Sequence, residues 1–213
     1  MPNAISPERA LIFRITHRDN IPWILENGIH CRNSNKLDPN FVSIGNESLI
    51  HDRQQVVVRS APGGTLSDYV PFYFTPHSPM LYNIKTGYRG IRQRQNDEIV
   101  FLISSLHKLV QDGIQFVFTD QHARLDSANF YDNLDKLDQI DWKILQARDF
   151  KRDINDLGKL DRYQAEALVL RHLPMASVLG IVCYNSRERD RVGKLAENTG
   201  LTLNVISRSG WYF

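Results

Sequence analysis

Cysteine is scarce: Cys31 and Cys183 are the only two in 213 residues, and they are far apart. The sequence therefore offers neither a disulfide framework nor a C-x-x-C metal or redox pair. No apolar run approaches the roughly 20 residues of a membrane-spanning helix. The opening stretch, Met1 to Arg9, has no apolar core of a secretory signal. The expectation is a cytoplasmic protein that makes no membrane contact. Phosphate-cradling loops are missing too. Gly63 and Gly64 are the only adjacent glycines and read as a tight turn, and neither G-x-x-x-x-G-K-[ST] nor G-x-G-x-x-G occurs. None of the seven histidines belongs to an H-E-x-x-H pattern, so a metal site has no positive support. A G-x-S-x-G elbow is absent as well. Charge of one sign is not in excess: 26 Lys and Arg stand against 24 Asp and Glu, a net +2. Any anion-binding surface must therefore be local.

What is present suits a folded domain. Apolar residues make up 42% and charged residues 23%, close to the average for soluble proteins, and the length predicts one domain over residues 1–213. The run Leu11-Ile12-Phe13-Arg14-Ile15-Thr16, ending at His17, predicts a strand. A helix from about Asn20 to Asn27 follows, with Asp19 or Asn20 as cap, Pro22 in the first turn and Gly28 as left-handed exit. Residues 31–68 read as irregular, broken by short runs at 41–44 and 56–58. Residues 69–74 read as a strand in which Pro71 argues for an edge or a bulge. Further strands are expected at 99–103, 116–118, 166–170, 178–183, 203–206 and 211–213, with helices from about Ser104 and over 186–196. Residues 120–161 are dense in Asp with no clear apolar period, which marks a functional loop or a misread element. Strands outnumber helices and often follow one another directly, so the fold class is α+β with a mixed or antiparallel sheet.

Two residues carry candidate chemistry, each beside a plainer alternative. Glu166 opens an apolar strand, where a carboxylate is expensive to bury without a partner. It either points to water or lines a cleft, bonding a substrate hydroxyl and stabilising developing positive charge. His17, at the end of the first strand, either bonds a neighbouring backbone group or fixes a ligand hydroxyl in that same cleft. Lys85, Arg89, Arg92 and Arg94, with Tyr82 and Tyr88 nearby, form either a solvated loop or part of a single-stranded nucleic-acid groove. Arg53 adds a cation upstream.

In combination these segments resemble the DarT family, DNA ADP-ribosyltransferase toxins of bacterial toxin–antitoxin pairs. The matching segments begin with Arg14-Ile15-Thr16-His17, Asp19-Asn20-Ile21, Ile44-Gly45-Asn46, the stretch 49–53 and Gly63-Gly64-Thr65. Next come Asp68-Tyr69-Val70-Pro71-Phe72-Tyr73-Phe74 and Ser78-Pro79-Met80. Downstream are Phe118-Thr119-Asp120-Gln121-His122-Ala123, Gln146-Ala147-Arg148-Asp149-Phe150, Arg162-Tyr163-Gln164-Ala165-Glu166 and Arg208-Ser209-Gly210-Trp211-Tyr212-Phe213. His77 departs from the pattern, standing where relatives often carry arginine or an apolar residue.

The resemblance implies an ADP-ribosyltransferase fold, a split β-sandwich around an NAD cleft with peripheral helices. It implies a toxin that transfers ADP-ribose from NAD, as glycosyl and nucleotidyl transfer, to a thymine of single-stranded DNA in a sequence-specific way that blocks replication. Residues 118–123 and 138–150 look like the thymine-modifying branch. By the same resemblance Glu166 and Arg53 are catalytic. His17, Asn20, Gly28, Tyr73 and Phe74 bind NAD. His122, Met80, Arg92, Arg94 and Arg148 meet the DNA, and residues 120–164 form the substrate-recognition loop. No metal is implied. The expected partner is a macrodomain antitoxin of the DarG type. Guanine in DNA, RNA or protein are the rival acceptors. A non-catalytic single-stranded DNA-binding module is disfavoured, because it would have no need of His17, Arg53 and Glu166 together.

Overall fold

In the computed structural model residues 5–213 are described; Met1 to Ala4, and with them the start of the segment read for a secretory signal, lie outside the described residues. Strands β1 (Leu11–His17), β3 (Tyr69–Tyr73), β4 (Ile99–Ser105), β5 (Phe116–Thr119), β6 (Phe130–Tyr131), β7 (Glu166–Leu170), β9 (Gly180–Cys183) and β10 (Val205–Ser207) form one mixed sheet. Its order is β10-β9-β4-β1-β3-β7-β5-β6. Only β10 and β9 run parallel. The short strands β2 (Ile29–His30) and β8 (His172–Leu173) pair separately. Helices α1 (Ile21–Asn27), α2 (Glu47–Asp52), α3 (Pro79–Thr86), α4 (Leu106–Gln111), α5 (Trp142–Ala147), α6 (Lys159–Tyr163) and α7 (Ser186–Asn198) complete the fold.

The strand sequences alternate as a two-faced sheet requires. Ile12, Val70, Phe72, Val100, Leu102, Ala167, Val169 and Ile181 share one buried cluster with Ile24 and Leu25 of α1, Leu109 of α4, Leu145 of α5 and Val192 of α7. The opposite face carries two separate clusters. Phe13, Ile15, Phe101 and Val182 pack with Leu81 and Ile84 of α3, whereas Tyr69, Leu168 and Val117 pack with Val58 and Leu66. The division falls at the β1–β3 seam. β1 pairs along its length with β4, from Leu11 opposite Ser105 to His17 opposite Ile99. Against β3 it keeps a single register pair, Phe13 opposite Tyr73. The two small sheets expected of the split sandwich are thus halves of one strand order, parted beyond that pair.

Pro71 therefore sits neither on an edge strand nor at a bulge. It lies on a central strand, paired with Leu168 of β7. Its carbonyl accepts a bond from Arg14 Nη1 on β1 at 2.9 Å, so its ring nitrogen also faces the parted seam, where no ladder donor is required.

Several other expectations shift. Residues 31–68 contain α2, and the run 56–58 supplies only an isolated bridge from Val57 to Thr65. Asn20 begins α1 without a side-chain cap, because its Oδ1 already accepts from the Val42 N–H at 2.8 Å while its amide donates to Thr16 Oγ1 and the Val42 carbonyl. Residues 211–213 are not a strand. A 3-10 turn, Ser209–Trp211, drives Trp211 edge-on against Phe13 and Phe101, while the Tyr212 hydroxyl donates to the Ile99 carbonyl at 2.9 Å. Residues 120–161 are built of short pieces, β6, a 3-10 segment (Leu134–Gln139) and α5, that bury Leu137, Ile140, Trp142 and Leu145. Each piece is too short to show a period in sequence.

Gly28, with φ of 77°, turns the chain from α1 into β2, and a Cβ there would meet the His172 ring and come within 2.6 Å of the Leu173 carbonyl. Gly28→Ala is expected to cost about 2 kcal/mol or more through strain and lost β2–β8 pairing; a denaturant-unfolding midpoint equal to wild type would contradict that.

Candidate functional site

Glu166 is the first residue of β7, opposite Tyr73 at the end of β3, and is only 3% exposed. Each carboxylate oxygen is partnered. Oε2 accepts from Arg53 Nη1 at 2.9 Å, and Oε1 lies 3.1 Å from His122 Nδ1 and accepts from the Ala123 backbone N–H at 3.2 Å. Arg53 comes from a 3-10 turn that follows α2. His122 and Ala123 come from the turn after β5, a strand that pairs with β7. Thr119 fixes the Glu166 backbone, its hydroxyl accepting from the Glu166 N–H at 3.1 Å.

Burial alone would push this carboxyl above the usual range. The Arg53 charge and the His122 hydrogen bond outweigh burial and hold its pKa at about 2. The Tyr73 hydroxyl moves the other way, raised first by burial and then by the Glu166 charge, so it is a neutral phenol. Arg53 Nη2 is buried with no hydrogen-bond partner, which leaves one nitrogen of the guanidinium fork unused.

Beside this cluster a cavity of about 440 Å³ opens through the parted β1–β3 seam. Trp23, Phe41 and Tyr69 supply broad apolar wall, and Arg14, Thr16, Ser67 and Arg53 supply polar groups. Burial pulls the Arg14 pKa down to about 10, and repulsion from Arg53 adds to it. Among the described residues Arg14 has no ion-pair partner within the distance that joins Arg53 to Glu166, and the hydroxyl of Ser67 is buried without a partner. A pocket of this size, largely apolar and lined by Arg14, Arg32 and Arg53 against the single carboxylate of Asp38, with an unpartnered hydroxyl, fits a dinucleotide with a diphosphate at its middle. Among the described residues no three His, Cys, Asp or Glu side chains are grouped to hold a metal.

The remaining expected residues divide. His17 is buried at the far end of β1, its Nε2 3.4 Å from Glu98 and its Nδ1 accepting from the Asp19 N–H. It does not line the cavity. Asn20 acts indirectly, clamping Thr16, which does. Gly28 serves the turn into β2. Phe74 is a correction: alternation turns it away from Tyr73 into the core, fully buried against Phe118 and Trp142. Met80 packs on the α3 side. Arg92 and Arg94 line a shallow depression with Asn46 and Ser48, Arg94 being tied to Glu98 at 3.2 Å. Arg89's side chain lies outside the described residues. Arg148 is exposed at the exit of α5, with φ of 54°.

Sequence reasoning missed Arg14, Thr16 and the aromatic wall. The signal for Arg14 was available: a cation inside the apolar run 11–15 is as costly to bury as Glu166.

Arg53 is the largest influence lowering the Glu166 pKa, so Arg53→Gln is expected to raise it well above 2, read by carboxyl carbon NMR across an acid titration. A carboxyl still titrating near 2 in the variant would refute the pairing. The depressed value contributes stability that is present above the unfolded carboxyl pKa and is lost as pH falls toward 2.

A family model described as "ssDNA thymidine ADP-ribosyltransferase, DarT" matches residues 13–213. The chain is 52% identical over 210 residues to the DNA ADP-ribosyl transferase of Escherichia coli O127:H6 (strain E2348/69 / EPEC), covering 99% of this chain and 96% of that one. It is 36% identical to the enzyme of the same name from Thermus sp. (strain 2.9), covering 97% and 98%. Among solved structures, Thermus sp. 2.9 DarT in complex with ADP-ribosylated ssDNA superposes with a TM-score of 0.88 at 33% identity, over 97% of this chain and 98% of that chain. The same protein in complex with NAD+ gives 0.81 at 34%, over 97% and 99%. With a buried carboxylate–arginine pair beside a dinucleotide-sized cavity, the chain belongs to the DarT family of NAD-dependent DNA ADP-ribosyltransferases.

Proposed function

We propose that this ADP-ribosyltransferase moves ADP-ribose from NAD to a ring nitrogen of thymine in single-stranded DNA, as the toxin of a toxin–antitoxin pair. The observation that carries the reading is the Glu166–Arg53–His122 cluster, joined to the seam cavity through Arg53, which lines it. Support for the acceptor comes from the description of the matching family as a thymidine transferase and from the Thermus relative's complex with ADP-ribosylated ssDNA.

The bond that breaks is the N-glycosidic bond to nicotinamide, which leaves with its electron pair, and the bond that forms joins the anomeric carbon to the thymine nitrogen, whose proton departs. The diphosphate stays intact. The chemistry is glycosyl transfer, and the nucleotidyl-transfer expectation is corrected on that ground. Arg14 holds the diphosphate side, with Trp23, Phe41 and Tyr69 as apolar wall. Glu166, ionised at neutral pH, bonds ribose hydroxyls and stabilises positive charge developing at the anomeric carbon. Arg53 stabilises the anionic form of the thymine ring. Single-stranded substrate avoids unpairing, since the reacting nitrogen lies on the pairing edge.

Residues 120–164 recognise the DNA through His122 and Arg148, and Met80, Arg92 and Arg94 flank its path. No helix of the described residues is long and apolar enough to cross a membrane. Cytoplasmic action on exposed single strands fits this reading, with a macrodomain antitoxin of the DarG type as partner; a Thermosipho africanus DarTG in complex with ADP-ribose shares the fold, with a TM-score of 0.77 at 19% identity.

Mass spectrometry of thymine-containing, thymine-free and RNA oligonucleotides incubated with NAD tests the acceptor. One added ADP-ribose on thymine-containing DNA alone is the expected result, and adducts on thymine-free DNA or RNA would move the assignment. Glu166→Gln is expected to lower the rate by about 100-fold or more while retaining the fold, measured as initial transfer rate beside a thermal melt. Arg53→Ala is expected to lose transfer to DNA while keeping NAD binding, measured by NAD-dependent thermal stabilisation; an unchanged transfer rate would remove Arg53 from the reaction.

A further inference from the structure

Three aromatic rings meet on the surface from segments remote in sequence: Tyr82 of α3, Phe150 beyond α5, and Phe213. Their centroids are 5.5–6.0 Å apart, each pair edge to face. Tyr82 is 41% and Phe213 38% exposed. Scattered exposed rings are ordinary on a protein surface, but three in mutual contact make a contiguous apolar patch.

The patch is built on a buried floor. The His77 ring lies 6.0 Å from Phe213 and the Tyr163 ring 5.3 Å from Phe150, and the Tyr163 hydroxyl donates to the His77 carbonyl at 3.0 Å. His77 is 6% exposed, and its Nδ1 is buried without a partner. Both floor residues lead to the reaction centre. His77 follows Tyr73 by four residues along the chain, Tyr163 precedes Glu166 by three, and Tyr73 stands opposite Glu166. The surroundings are cationic. Arg148 is exposed and near enough to His77 and Tyr163 to influence both titrations. Lys151 and Arg152 are exposed, while the neighbouring carboxylate, Asp149, is neutralised by Lys159.

We propose that Tyr82, Phe150 and Phe213 form a stacking platform for a base flanking the modified one in the single-stranded DNA substrate, with Arg148 on an adjacent phosphate. The inference rests on the DNA reading above. Exposed rings beside cations take up single-stranded nucleic acid by stacking and charge together, tolerant of base identity. The platform also gives the unmodified part of the substrate something to hold at the Glu166 end of the sheet, which places the target base without contacting it.

The test compares transfer to a thymine-containing oligodeoxynucleotide of about eight nucleotides with transfer to versions carrying one abasic site at each flanking position in turn. Tyr82→Leu is expected to raise the KM for the intact oligonucleotide about 10-fold, without a matching change in the KM for NAD, and Tyr82→Trp is expected to restore it. One abasic position should cost wild type a similar factor and cost Tyr82→Leu nothing further. Phe213→Leu provides the same comparison should Tyr82→Leu fail to fold. An unchanged KM in both leucine variants, or an abasic penalty equal in wild type and variants, overturns the platform. Wild-type protein that consumes NAD but modifies no DNA overturns the acceptor reading and the platform with it, a pattern distinct from a platform failure alone.

Discussion

A carboxylate that is 3% exposed at the start of a strand has to be neutralised or surrounded by donors. Glu166 is surrounded, and the molecule is arranged around that requirement. Arg53 arrives from the irregular region before β3, and His122 and the Ala123 N–H arrive from the turn after β5. Three chain segments are thereby fixed at one point. Removing one partner of such a pair usually costs about 3–5 kcal/mol, but here the cost is limited because an unpartnered Glu166 can take up a proton. The site is therefore more sensitive than the fold to changes at Arg53.

The seam between β1 and β3 supplies the second constraint. Two strands that keep one register pair leave backbone groups and side chains facing a gap, and the chain fills the edges of that gap with Pro71, whose nitrogen has no hydrogen to pair, and Arg14, which donates to its carbonyl. The same arrangement leaves two guanidinium groups, Arg14 and Arg53, on one cavity wall. Glu166 compensates only Arg53. With Arg32 and Asp38 also on the lining, the cavity wall keeps an excess of positive charge, which suits an anionic ligand with apolar ends such as a dinucleotide.

Much of this was legible in the residues because burial costs are local. Apolar runs marked β1, β4, β5 and β7, and a glutamate opening an apolar strand marked the site. The resemblance supplied Arg53, which spacing alone could not, since its partner is 113 residues away. What could not be read were contacts made across the fold. The resemblance put Phe74 in the NAD cleft together with Tyr73, yet a shift of a single residue along a strand reverses the face, and Phe74 is fully buried against Phe118 and Trp142. Nor could the sequence show that the His17 ring stands 3.4 Å from Glu98, 81 residues away. Trp211 and Tyr212 carried strand-like composition, but their rings are consumed by packing on Phe101. The segment 120–161 hid its helices because pieces of about one to two turns show no reliable period.

The two partners of Glu166 also couple donor and acceptor chemistry on the proposed reading. With Arg53 in place the carboxyl pKa is about 2, so Glu166 is a poor proton acceptor and its charge is held for the anomeric carbon. An anionic thymine competes for Arg53, whose second nitrogen already lacks a partner. Any weakening of the Arg53–Glu166 contact lets burial act on the carboxyl and raises its basicity. Glu166 would then gain proton affinity only while an acceptor base occupies the site, when a proton has to leave the thymine ring. His122, on the same carboxylate oxygen as the Ala123 N–H, keeps the group oriented through that exchange. One arginine shared between a carboxylate and an acceptor thus ties the basicity of Glu166 to the presence of the acceptor.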